Sequence, residues 1–92
     1  MREREIEAYF VKRVKEAGGL QRKFVSPGHR GVPDRIVVLR RKVYFVELKA
    51  PGEVLRADQE REHAKLRDAG AIVWTLSDKD RVDFFISWAK LC

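Results

Sequence analysis

One cysteine, Cys92, is all that the 92 residues contain. No internal disulfide can form, and a reducing, cytoplasmic setting is expected. Long apolar runs are also missing: none approaches the roughly 18 residues that a membrane span needs, so no membrane partner is expected. The opening MREREIEAYF is charged and lacks the apolar core of a secretion signal. There is no internal repeat, linker or low-complexity stretch. The length suits one domain, 1–92, rather than two. A domain this small buries modest surface and gains stability from oligomerising.

Charge is what the chain has in quantity. Charged residues make up 37% and hydrophobic ones 45%, as in a soluble globular protein, and 20 Lys and Arg against 14 Asp and Glu leave a net charge of +6. That sign favours an anionic partner, of which nucleic acid is the commonest, although many basic domains are merely soluble.

Residues 3–17 read as a helix stopped by Gly18-Gly19. Residues 20–25 read as a short strand, and SPGHRGVP as an irregular loop. Strands follow at 34–39 and 43–49, joined by a tight basic turn at Arg40-Arg41-Lys42 and ended by Pro51-Gly52. A polar helix covers 56–69, AIVWTL is a strand, and a last helix starts near Ser77, where Ser77 and Asp80 have capping-box spacing. The order α-β-β-β-α-β-α predicts an α/β domain with a mixed sheet flanked by helices and a hairpin at its centre.

The hairpin carries the puzzle. Strand alternation puts Val43, Phe45, Glu47 and Lys49 on one face and Tyr44, Val46 and Leu48 on the other. Both faces are apolar, as in a covered central strand, so Glu47 and Lys49 end a mostly buried face. Burying an ionised group without a partner is costly, and it usually signals pairing or a bound ion. Pairing across the turn brings Asp34 beside them. On the first helix, Ile6, Phe10, Val11, Val14 and Ala17 trace an apolar arc with Glu7 inside it, whereas Glu3 lies in the first turn, where fraying keeps it solvated. Singly, these are an ordinary ion pair, a turn residue and a helix acid. Together they are carboxylates that repel unless a cation sits among them, and Mg²⁺ suits one or two carboxylates plus substrate phosphate.

The residues PD at 33–34 followed by ELK at 47–49 match the PD-(D/E)xK nuclease signature. More narrowly, SPGHRGVPDRIVVL…VYFVELKAPG…Q resembles the virus-type replication-repair nuclease (VRR-NUC) family over nearly the whole chain. The resemblance implies a restriction-endonuclease-like αβββαβ core with a C-terminal helix, and a Mg²⁺- or Mn²⁺-dependent endodeoxyribonuclease. It implies that Asp34 and Glu47 ligate the metal with the backbone carbonyl of Leu48, and that Glu7 binds through water or a second ion. Lys49 would hold or help deprotonate the attacking water. Gln59 either orients water or phosphate or is a solvated helix residue. The tip Arg40-Arg41-Lys42 departs from the Gly-rich or Pro-Gly turn expected there. Small stand-alone members look like viral or phage proteins that act as homodimers on four-way (Holliday) junctions, in the host cytoplasm if viral. The alternatives are a flap or other branched-DNA nuclease and a non-catalytic DNA-binding module.

Other residues invite comment. His63, one turn after Gln59, is expected to be structural or exposed. His29 and Arg30, in the loop before Asp34, are candidates for phosphate contact, and Arg22, Lys23, Arg35, Arg40, Arg41 and Lys42 extend a positive surface or are solvated charges. Phosphate contacts position DNA without reading its sequence, so shape recognition is favoured. On the last helix Val82, Phe85, Ile86 and Ala89 suit the sheet. Phe84, Trp88 and Leu91 fall on a roughly opposite face and are expected to form a dimer contact, with Trp88 as anchor.

Overall fold

A computed structural model describes residues 1–91. Its elements run α1 (Glu3–Glu16), β1 (Leu20–Lys23), β2 (Arg35–Leu39), β3 (Lys42–Leu48), α2 (Ala57–Asp68), β4 (Val73–Leu76) and α3 (Lys79–Leu91). This is the expected order, with each boundary within two residues of the sequence reading.

Helix α1 buries Ile6, Phe10 and Val14, the i, i+4, i+8 stripe of its apolar arc. It stops where Gly18 takes a left-handed φ of 81° and the Gly19 amide donates to the Val14 carbonyl at 2.9 Å. Gly19 has a second role. A Cβ there would lie 3.1 Å from the Val38 carbonyl oxygen and from Leu39, so a side chain would push the helix exit off the sheet.

The four strands lie in the order β1-β2-β3-β4. The first three form an antiparallel meander, and β4 joins β3 in parallel after the α2 crossover. The β2–β3 turn is tight because Arg40 and Arg41 both adopt positive φ, 51° and 71°. Glycine or asparagine normally occupies such sites, and a side chain in the left-handed region costs about 1–2 kcal/mol per residue. Arg40 offsets part of this by donating to the Lys90 carbonyl, an otherwise free acceptor at the end of α3.

Alternation divides the sheet into two unlike faces. Val37, Leu39, Tyr44, Val46, Leu48 and Leu76 pack with Ile6, Phe10 and Val14 of α1 and with Val82, Phe85, Ile86 and Ala89 of α3 into one apolar core. The other face carries Phe45, Glu47 and Val73 and meets α2, whose buried side chains are Gln59 and His63. Helix α3 is capped by Asp78, not Ser77: its Oδ1 accepts from the Arg81 amide at 2.7 Å and its carbonyl from Val82. Among the described residues no helix is long and apolar enough to cross a membrane.

Candidate active site

The hairpin register builds the site. Arg35 pairs with Val46, so Asp34, one residue earlier, falls beside Glu47 and Leu48. Asp34 Oδ2 accepts from the Leu48 amide at 3.1 Å, which pins the carboxylate at the mouth of the β2–β3 ladder. Glu47 lies on the α2 side of β3 with 2% of its surface exposed. Lys49, one residue past the strand, donates its amide to the Leu76 carbonyl, which extends the parallel ladder. Its buried Nζ stands 3.6 Å from Glu47 Oε2. The three residues predicted to cluster do so.

Helix α2 closes over Glu47 from the other side. Gln59 is buried and donates from Nε2 to Glu47 Oε2 at 3.0 Å. Its own Oε1 accepts from the Arg56 amide at 3.0 Å, which fixes the amide orientation at the first turn of the helix. His63, one turn later, is fully buried, with Nε2 3.9 Å from Glu47 Oε1. Sequence reasoning left His63 among structural or exposed residues. The missed signal was the Gln59–His63 spacing, which puts both on one helix face. Gly31 seats the loop against α2: at φ 86°, a Cβ there would lie 2.4 Å from the Asp58 carbonyl oxygen.

Burial pushes the Glu47 carboxyl up to about 7, and the nearby Asp34 charge pushes the same way, while the Lys49 ammonium opposes them. His63 is held below the usual histidine value, chiefly by burial and then by the Arg67 charge, so its ring is neutral near pH 7.

The helix acid differs from expectation. Glu7 is half-exposed and its Oε1 is held by Arg35 Nη2 at 2.8 Å. Arg35 is itself buried and also donates to Gln21 Oε1 at 2.8 Å. Both residues are thus engaged with each other. Glu3, one turn earlier, is the acid that feels the cluster. Its carboxyl is raised by burial, then by Glu53 and Asp34, with Lys49 opposing. Glu3, Glu7, Lys23, Phe24, Asp34 and Arg35 line one cleft of about 240 Å³. A larger hollow of about 480 Å³, of mixed charge, lies along α2 between Arg30, Asp58, Arg61 and Lys65 and shares no lining residue with that cleft.

The basic residues separate by location. Lys23 borders the cleft, and exposed Arg22 donates to the Gln21 carbonyl. His29 and Arg30 are exposed in the loop before Asp34, with Arg30 Nε 3.7 Å from Asp58 Oδ2. Arg40, Arg41 and Lys42 occupy the far end of the hairpin, five residues or about 16 Å along β3 from Glu47. On α3, Phe84 is 63% and Leu91 86% exposed, and the Phe84 ring centroid lies 6.0 Å from that of Trp74. Trp88 is not free: it is partly buried, with its ring centroid 5.9 Å from Tyr44 and 5.3 Å from Trp74.

The donor set fits a hard divalent cation. Two carboxylates lie side by side, Glu47 Oε1 is buried without a hydrogen-bond partner, and burial together with the Asp34 charge raises the Glu47 carboxyl. Among the described residues no three His, Cys, Asp or Glu side chains form a complete ligand set by themselves. Such a site therefore draws further oxygens from backbone, water or substrate.

No protein-family model matches the sequence. The chain is 51% identical over 81 residues to "Putative nuclease p44" of Acyrthosiphon pisum secondary endosymbiont phage 1, a match covering 87% of each protein. Its structure superposes on a solved VRR-NUC domain with a TM-score of 0.86 and 34% identity, over 92% of this chain and 94% of the other. With fold and sequence similarity agreeing over most of its length, this chain belongs to the VRR-NUC family.

Proposed function

We propose that this protein is a divalent-metal-dependent, structure-specific DNA endonuclease whose single domain, 1–92, resolves four-way junctions as a homodimer. The observation that carries the reading is Glu47, a buried carboxylate held within one cluster with Asp34, Lys49 and Gln59. A module that only bound DNA would gain nothing from a buried carboxylate whose ionisation is opposed by burial and by a neighbouring acid.

Asp34 and Glu47, with the Leu48 carbonyl, would hold Mg²⁺ or Mn²⁺. When bound, the ion supplies Lewis acidity toward the scissile phosphate and a lower pKa for water. Lys49 aligns the attacking water and offsets charge on the phosphorane-like transition state. Gln59 fixes the rotamer of Glu47 by its hydrogen bond to Oε2. Glu3 and Glu7 of α1 both border the cleft, Glu7 paired with Arg35, and either carboxylate would reach the ion through water. Lys23, at the cleft, and His29 and Arg30, exposed in the loop before Asp34, are the residues for backbone phosphates. Arg35 acts as a buried strut and not as a DNA contact.

Four-way junctions are two-fold symmetric, and a symmetric dimer places two equivalent sites on two equivalent strands. Phe84 and Leu91, exposed together on α3, are the proposed contact.

The test is incubation with labelled four-way junction, flap and linear duplex, each with Mg²⁺, Mn²⁺ or chelator. Paired, metal-dependent incisions in the junction are expected. Preferential flap cutting would replace the substrate assignment, and DNA binding without cleavage in any metal would overturn the enzyme reading. Phe84→Glu should shift the sizing profile toward monomer and favour nicks over paired cuts; a variant that stays dimeric places the contact elsewhere.

A further inference from the structure

Helix α2 buries two side chains, and both are polar. Gln59 and His63 lie four residues apart, on one helix face. Both address one carboxylate: Gln59 Nε2 donates to Glu47 Oε2 at 3.0 Å, and His63 Nε2 stands 3.9 Å from Oε1. Buried polar atoms nearly always have hydrogen-bond partners. Glu47 Oε1 and both ring nitrogens of His63 have no partner within 3.5 Å, although His63 is entirely excluded from solvent and the Gly31 backbone lies close enough to favour its protonated form. A buried ring serving only to fill space needs no nitrogen. Here two unsatisfied atoms face each other across a gap about 1 Å longer than a hydrogen bond.

We infer that His63 is a positioning residue: with the proton on Nε2, it closes on Glu47 Oε1 when that carboxylate takes up a divalent cation, and with Gln59 it clamps both carboxylate oxygens from behind. A carboxylate has about four lone-pair sites, so two donors leave room for the ion on the same group. Outer hydrogen bonds of this kind orient a ligand and strengthen its hold on the metal. The inference rests on the proposed role of Glu47 as a ligand and requires no change of protonation at His63.

The experiment titrates Mn²⁺ into metal-free protein, following free ion by electron paramagnetic resonance and heat by calorimetry, for the parent, His63→Phe, His63→Gln and Glu47→Gln. Phenylalanine keeps the ring volume without a donor, and glutamine restores a donor near the Nε2 position. His63→Phe is expected to weaken Mn²⁺ binding about 10–100-fold, and His63→Gln to recover it to within a few-fold. Nitrogen NMR of the unaltered protein should show His63 with its proton on Nε2 and a signal that moves when Mg²⁺ is added. This measurement decides the matter if His63→Phe does not fold. Parent affinity in His63→Phe, or a ring protonated on Nδ1 and indifferent to Mg²⁺, overturns the role of His63. Parent affinity in Glu47→Gln removes the metal reading, and this inference with it. Lost affinity in Glu47→Gln with parent affinity in His63→Phe removes the inference alone.

Discussion

The two faces of the central strand are built from the same alternating pattern and put to opposite uses. Tyr44, Val46 and Leu48 point into a closed apolar core under α1 and α3, where the rings of Tyr44, Trp74, Phe85 and Trp88 pack edge to face or tilted at 5.3–5.9 Å. Across the sheet, α2 covers Glu47 with a glutamine and a histidine. Leu20, Val38 and Val43, a cross-strand row on that second face, remain 58%, 39% and 52% exposed. One face thus supplies folding free energy through burial, while the other spends part of it holding a carboxylate where burial and a like charge oppose ionisation. The proposed site needs both, because a ligand would be useful only if a rigid layer fixed its position.

The comparison breaks most visibly on the apolar side. Phe85→Ala removes a fully buried ring that touches Tyr44 and Trp74, and should cost about 3–5 kcal/mol of stability. Glu47→Gln, equally buried, should leave stability without metal unchanged or raised. Denaturant melts of both in chelator check this, and equal losses would mean that both faces serve the fold alike.

Activity should divide the other way. Asp34→Asn and Lys49→Ala should each reduce cleavage by at least about 10²–10³-fold, with DNA affinity nearly intact, since phosphate neutralisation supplies most of the binding. Either variant cutting at the parent rate would remove it from the chemistry.

Titration sharpens the contrast. The Glu47 carboxyl is raised in the fold from about 4.5 to about 7, so the folded state binds the extra proton between those values. Its contribution to stability is fully present below the unfolded value and is lost as pH rises to about 7, by on the order of 2–3 kcal/mol. In chelator, the stability difference between Glu47→Gln and the parent should therefore grow from pH 4.5 to 7 and then level off. A flat difference would mean that Glu47 ionises normally, and added Mg²⁺ should shrink the difference.

The smallest effect concerns the two ends of the hairpin. Ala at Arg41 and Lys42 should leave the salt dependence of DNA binding unchanged, because the tip lies at the far end of β3 from Glu47. Ala at Lys23 or Arg30 should lower the slope of log K against log salt by about 0.9 per lost contact. The reverse result would move the DNA to the tip.

Much of the site was legible because it is made by local pairing. A three-residue basic turn and strict alternation fix which residues of β2 and β3 are opposite, so Asp34 beside Glu47 and Lys49 followed from chain order. What could not be read depends on how helices rotate and slide on the sheet. Periodicity put Glu7 in the apolar arc of α1, but the long buried Arg35 side chain reaches it, and Glu3, one turn away, lines the same cleft beside Asp34. The same holds for Trp88, which the helical wheel put outward and which the Tyr44 and Trp74 rings draw in.

By itself, the sequence determined the element order, the apolar stripes, the hairpin register and the clustering of Asp34, Glu47 and Lys49, all of which follow from steric alternation and hydrogen bonding between near neighbours in the chain. Only the tertiary structure decided that Glu3 and Glu7 both border the Asp34 cleft, that Arg35 is a strut, and that His63 stands behind Glu47. Those choices are made by the packing of α1 and α2 on opposite sides of the sheet, where the shapes and charges of distant side chains meet and no local rule can rank them.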